Sequence, residues 1–245
     1  MILGIDASNV RGGGGLTHLV ELLTHTSPSD VIFEKIIVWG PAQVLSRMPA
    51  RDWLELVRVK QLEGMLGPRI YWQRVKLPRL AKECCDILFV PGGSFSKSSV
   101  PVVTMSQNML PFETREFARY GISWVLIRIL ILRYTQSCSF READGVIYLT
   151  EYASKKVADV IGEAGAARAI IPHGINRRFY SAPKQQLSIE EYSKRRPFKL
   201  LYVSIVDMYK HQWNVVEAVA RLRKQGLPVE LDLVGPCLLY TSDAA

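Results

Sequence analysis

The stretch Met1-Ile2-Leu3-Gly4-Ile5-Asp6-Ala7-Ser8-Asn9-Val10-Arg11-Gly12-Gly13-Gly14-Gly15-Leu16-Thr17-His18 decides the fold. Ile2–Asp6 is a short apolar run that reads as a buried strand, Arg11–Gly15 is a glycine-rich loop, and helical spacing takes over from about Leu16 to Thr24. The alternation then repeats. Lys35–Trp39, Leu56–Val59, Asp86–Val90, Val102–Met105, Gly145–Leu149 and Ala169–Ile171 read as strands. Ala42–Met48, Trp72–Lys82, Ile122–Arg141 and Tyr152–Ile161 read as helices between them. Strand–helix–strand crossovers of this length predict a mostly parallel sheet covered on both faces, a doubly wound α/β domain over residues 1–180.

Beyond it, Ser181-Ala182-Pro183-Lys184-Gln185-Gln186 and the charged stretch to Arg196 read as a linker, 181–197. The pattern restarts with strand Lys199–Val203, helix His211–Lys224 and strand Val229–Val234. One βαβ unit buries too little surface to stand alone, so 198–236 is expected to be the start of a second, truncated domain. The tail Cys237–Ala245 has neither periodicity nor turn logic and reads as foreign sequence.

Among the 245 residues 48% are hydrophobic and 22% charged, which excludes a disordered chain. The 31 basic residues against 23 acidic ones leave a formal charge of +8 and favour an anionic partner. The basic residues are scattered without interleaved aromatics, which argues against nucleic acid. Four cysteines, two of them adjacent (Cys84, Cys85), form no CxxC pair, so a cytoplasmic location is expected and no metal cage is offered. Met1–Asp6 reads as a strand, with no basic leader before it.

Four segments carry candidate chemistry. Gly12, Gly13, Gly14 and Gly15 join a strand to a helix, where backbone amides and the helix dipole favour an anion; a flexible tight turn is the alternative. A dinucleotide fingerprint fits poorly, since Thr17 stands where its third glycine belongs, and no Gly-Lys-Ser/Thr follows for a P-loop. Gln107 and Asn108, in Ser106–Glu113 after a strand's carboxyl end, offer amides to a hydroxyl-rich ligand; the alternative is a turn with Phe112 as an apolar plug. His173, in Ile171–Phe179, reads as structural or as a site residue. Lys210, in Leu200–Gln212, stands where a strand delivers a loop to a helix start, a place suited to a departing diphosphate.

Together these segments resemble the family 4 retaining glycosyltransferases of the GT-B superfamily. The likeness rests on the glycine loop, the Asn-x-x-Pro-Phe of Asn108–Phe112 and the His-Gly-Ile-Asn-x-x-Phe of His173–Phe179. Tyr202-Val203-x5-Tyr209-Lys210-His211 and the continuation from Asn214 complete it. It implies two Rossmann-like domains, an acceptor-side domain at 1–180 and a nucleotide-sugar-binding domain begun at 198–236, and a role in cell-envelope polysaccharide, lipopolysaccharide or glycolipid synthesis. The same resemblance places Gly12–Gly15 near the donor phosphates and sugar, Lys210 at the leaving UDP or GDP, and Gln107, Asn108 and His173 on the side of a glycan or lipid-linked acceptor. It further implies retention and no metal or other cofactor; no Asp-x-Asp motif occurs here. Ser204-Ile205 replaces the family's Gly-Arg, and the family's paired glutamates are missing, so the chain by itself is expected to be inactive. A non-catalytic sugar- or nucleotide-binding module on the same scaffold is the alternative.

Arg119–Tyr134 is apolar with arginines at intervals. It reads as a buried outer-layer helix whose arginines reach out to water, the alternative being peripheral contact with the inner membrane face.

Overall fold

The computed structural model describes residues 1–27, 32–95, 98–162 and 165–236. The tail 237–245, read above as foreign, lies outside them. The chain divides into two units, Met1–Gly174 and Ile175–Ala245.

In the first unit the elements run β1 (Ile2–Asp6), α1 (Gly13–His25), β2 (Lys35–Gly40), α2 (Ala42–Leu45), β3 (Leu54–Arg58), α3 (Leu66–Tyr71), α4 (Leu77–Cys84) and β4 (Ile87–Val90). They continue β5 (Val102–Ser106), α5 (Thr114–Phe117), α6 (Trp124–Glu142), β6 (Gly145–Tyr148), α7 (Glu151–Ile161) and β7 (Ala167–Ile170). The strands form one sheet in the order β3-β2-β1-β4-β5-β6-β7, every pair parallel. This is a doubly wound, Rossmann-like arrangement: the chain steps outward from β1 to β3, crosses to β4, and steps outward the other way.

Alternation in the strands explains why both faces are covered. In β2, Ile36 and Val38 face a core with Leu16, Leu19 and Leu23 of α1, while Ile37 and Trp39 face a second core with Trp72, Leu77 and Ala81. A third core joins Phe112, Phe140, Val146 and Val157 beneath α6 and α7. Two aspartates close the amino ends of neighbouring strands. The Ile2 amide donates to Asp86 Oδ2 (2.7 Å) and the Val102 amide to Asp144 Oδ2 (2.8 Å), taking up donors that the ladder leaves unpaired.

The segment Trp72–Lys82, expected as one helix, is longer and interrupted. α3 begins six residues earlier, and a π-helical stretch, Trp72–Lys76, precedes α4. Pro78, with no N–H and a ring that crowds the carbonyl four residues back, accounts for the local widening.

In the second unit β8 (Phe198–Val203) and β9 (Val229–Val234) pair in parallel, joined by α8 (Gln212–Lys224). Leu201, Val203 and Leu233 stay exposed on this two-stranded sheet. Among the described residues Cys84, Cys85 and Cys138 are free thiols, and no helix is long and apolar enough to cross a membrane.

Candidate functional site

The strand order puts a crevice between β1 and β4, where chain direction across the sheet reverses; in open α/β sheets ligands bind outside the strands' carboxyl ends at this point. A cleft of about 720 Å³ lies there. The loop after β1 contributes Asn9, Arg11 and Gly12, and Gly15, expected in that loop, comes instead from the first turn of α1, which begins at Gly13; the loop after β4 contributes Gly92, Ser94 and Phe95, and the loop after β5 contributes Gln107 and Asn108.

A hydrogen-bonded network holds these loops. Gln73 Nε2 donates to Ser8 Oγ (2.6 Å) and lies 3.1 Å from Asn9 Oδ1, and Asn9 Nδ2 reaches the Ser94 carbonyl at 3.5 Å. Gly92 makes room for this, since a Cβ there would fall 2.5 Å from Asn9 Cβ. Gly15 does the same for Gln107, whose Oε1 would stand 3.1 Å from a Cβ at that position. Asn108 Oδ1 accepts from the Leu110 amide (3.1 Å), bending the loop so that Phe112 is buried. The turn with an apolar plug and the cleft-lining role therefore coexist in one loop. From α6, Ser139 Oγ accepts from the Phe95 amide (3.0 Å) and closes the floor.

The lining is cationic. Arg11, Arg69, Arg74 and Arg128 border the cleft and, among the described residues, no carboxylate does, so it attracts anions. Beneath it, Asp6 is fully buried, with Oδ1 accepting from the Ser8 amide (2.9 Å); burial outweighs that bond and pushes its pKa up to about 6.

The other expected site residues lie elsewhere. Gly13 begins α1 with φ +62°, a conformation that favours glycine, and Gly14 follows it in the open. His173 stands against His18 of α1, the two Nδ1 atoms 3.1 Å apart; burial first, and the neighbouring ring second, lower the His18 pKa. Lys210 belongs to the second unit. Its ammonium lies 4.7 Å from the Tyr209 ring centroid, and its carbonyl accepts from Tyr202 Oη (2.6 Å). Gln212 Nε2, at the start of α8, donates to the Ile205 carbonyl (2.6 Å), and together these bonds fix the strand–loop–helix junction.

Sequence reading missed the helix-borne lining: Arg69, Gln73, Arg74, Arg128 and Gln136. One signal was present, the polar run Thr135-Gln136-Ser137-Cys138-Ser139 inside an otherwise apolar helix. Among the described residues no group of three or more His, Cys, Asp or Glu side chains is placed to hold a metal ion.

The chain matches no protein-family model and no curated protein. Among solved structures it is similar to the lipopolysaccharide outer core galactosyltransferase WaaB in its apo form, at 11% identity and TM-score 0.49, over 98% of this chain and 70% of that one. It is also similar to Phytolacca americana UGT2, at 12% identity and TM-score 0.46, over 95% and 72%. The S. aureus MnaA–UDP co-structure follows at 14% identity and TM-score 0.43, over 96% and 62%. Likeness at this distance leaves the activity to be argued from the site itself.

Proposed function

We propose that this chain is part of a glycosyltransferase that moves a sugar from a UDP- or GDP-linked donor to a hydroxyl acceptor with retention. The observation that carries the reading is the cleft at the β1/β4 switch point, lined by the amides of Asn9, Gln73, Gln107, Asn108 and Gln136 and by arginines, with no acid among the described residues. Side-chain amides both donate and accept, which suits a polyhydroxylated ligand. In this reading Gly12–Gly15 approach the donor phosphates and sugar, and Gln107, Asn108 and His173 serve the acceptor side. Lys210 neutralises charge on the leaving diphosphate, the work a metal ion does in other transferases. The role this reading assigns lies in cell-envelope polysaccharide or glycolipid synthesis.

Titration calorimetry with UDP and GDP tests the donor half. Binding by one of them is expected, weakened at least tenfold in Lys210→Ala, as befits one lost charge-assisted bond. Binding of neither nucleotide, or an unchanged affinity in the variant, rejects the role of Lys210. Transfer by the full-length product is expected to persist in EDTA, and a requirement for added Mn²⁺ would contradict the mechanism. Ser204-Ile205 in place of a second phosphate cation favours a second reading, a non-catalytic nucleotide- or sugar-binding module. A coding sequence that continues without the paired glutamates would decide for it.

The amino-terminal half of α6 supports a peripheral membrane role at the cytoplasmic face. Ile122, Trp124, Val125 and Ile127 are exposed there beside the exposed Arg119 and Arg128. The chain is expected to co-sediment with anionic liposomes at low salt and to lose this with Trp124→Ser; failure to sediment at low salt removes the membrane role.

A further inference from the structure

α6 crosses the cleft with a single stripe of side chains. Arg128, Ile131, Leu132, Thr135, Gln136 and Ser139 follow one another at spacings of three and four residues or less, and all of them line it. The chemistry changes along that stripe. At its carboxyl-terminal end Gln136 is 5% exposed, and its Oε1 is buried with no hydrogen-bond partner. A buried amide oxygen left without a donor is costly, so this end is built for a ligand hydroxyl or N–H. Eight residues toward the amino terminus, about 12 Å along the axis, stands Arg128. The facing wall, from α3 and the π-helical stretch after it, adds Arg69 and Arg74, and Arg11 comes from the glycine loop. Four cations that share one cleft with no carboxylate among the described residues repel one another until an anion enters. Around them the wall turns apolar and open: Leu66, Ile70 and Ile131 are exposed cleft residues, and Trp124 and Val125 prolong the stripe of α6 beyond Arg128.

We infer that this cleft takes an anionic amphiphile. A hydroxylated head lies at Gln136, a phosphate or phosphodiester meets the arginines, and a hydrocarbon chain leaves along Leu66, Ile131 and Trp124. Naming this ligand the sugar acceptor rests on the transferase reading; its binding does not.

Calorimetry on the intact 245-residue chain tests the inference with three probes, each kept below its micellar concentration. Dihexanoyl phosphatidylglycerol has head, anion and chains; glycerol 3-phosphate lacks the chains; octyl glucoside lacks the anion. The short-chain phospholipid is expected to bind at least tenfold more tightly than either of the others. Arg74→Ala/Arg128→Ala, at two exposed positions, is expected to bring its affinity down to that of octyl glucoside with far-ultraviolet circular dichroism unchanged. Gln136→Met, which keeps the volume and removes the acceptor, is expected to erase the preference for phosphatidylglycerol over the head-free dihexanoyl phosphatidic acid. Glycerol 3-phosphate binding as tightly as the phospholipid would make this a site for free phosphate esters and overturn the inference. Octyl glucoside binding as tightly, or an arginine variant that binds like the parent, would overturn it equally. Loss of nucleotide binding at Lys210 leaves this result standing, so the two readings fail separately.

Discussion

Asp6 shows how one buried group ties stability to pH. Its pKa rises from 3.8 to about 6 because burial penalises the carboxylate more than the Ser8 bonds favour it. The folded chain holds this proton more tightly than the unfolded one, so Asp6 costs nothing below about pH 4 and its cost grows as pH climbs toward 6, to about 3 kcal/mol. Asp6→Asn carries no such charge and can keep the bond from the Ser8 amide. Between pH 4 and pH 8 its stability relative to the parent, from urea denaturation, is expected to shift by about 2.5 kcal/mol in its favour. A constant gap across that range would mean that the carboxyl is not shielded from water. Gly4 is a second residue whose role the sequence conceals. Within Ile2–Asp6 it reads as an ordinary strand position, yet a Cβ there would lie 2.6 Å from the Trp39 ring and 2.8 Å from Cys85 Sγ, both buried. Gly4→Ala is expected to cost about 1–3 kcal/mol by overpacking, seen as a lower denaturation midpoint.

At the scale of elements, α6 departs furthest from expectation. Its sequence reads as a buried outer-layer helix, but its buried residues gather in the carboxyl-terminal half, at Gln136, Ser137, Ser139 and Phe140, with Ile129 the one buried position before them, while Trp124 stands 84% exposed. The reason lies in the pattern: apart from Arg128, apolar residues are spread around the amino-terminal half, so periodicity marks no face as the inner one. α7 is the opposite case, with its start legible from residue type alone. Thr150 caps it by accepting from the Ala153 amide (3.1 Å), and Glu151 follows in the first turn. Thr150→Ala is expected to lower stability by about 1 kcal/mol.

At the scale of the molecule the two units differ in how well they are closed. The seven-stranded sheet of the first buries β1, β4 and β5 between packed helices. In the second, β8 and β9 have one helix between them and keep Leu201 and Val203 exposed. Hydrogen exchange on the intact chain is expected to leave β1 and β4 amides protected longest and to release β8 and β9 amides at least tenfold sooner. Equal protection in both sheets would show that the second unit is stabilised by more than its own core.

The sequence alone determined the order of strands and helices along the chain, the glycine-rich junction after β1, although it read Gly13, Gly14 and Gly15 as loop where they open α1, and the placement of Gln107 and Asn108 after a strand's carboxyl end. Those features are local, because side-chain period, glycine conformation and helix caps act over a few neighbouring residues. Only the tertiary structure decided which strands adjoin and that β1 meets β4, since pairing joins segments some 80 residues apart and depends on the packing of whole faces. The same holds for Arg69, Arg74, Arg128 and Gln136. Each is unremarked on its own helix, and they become walls of one cleft when the crossovers set those helices beside the switch point.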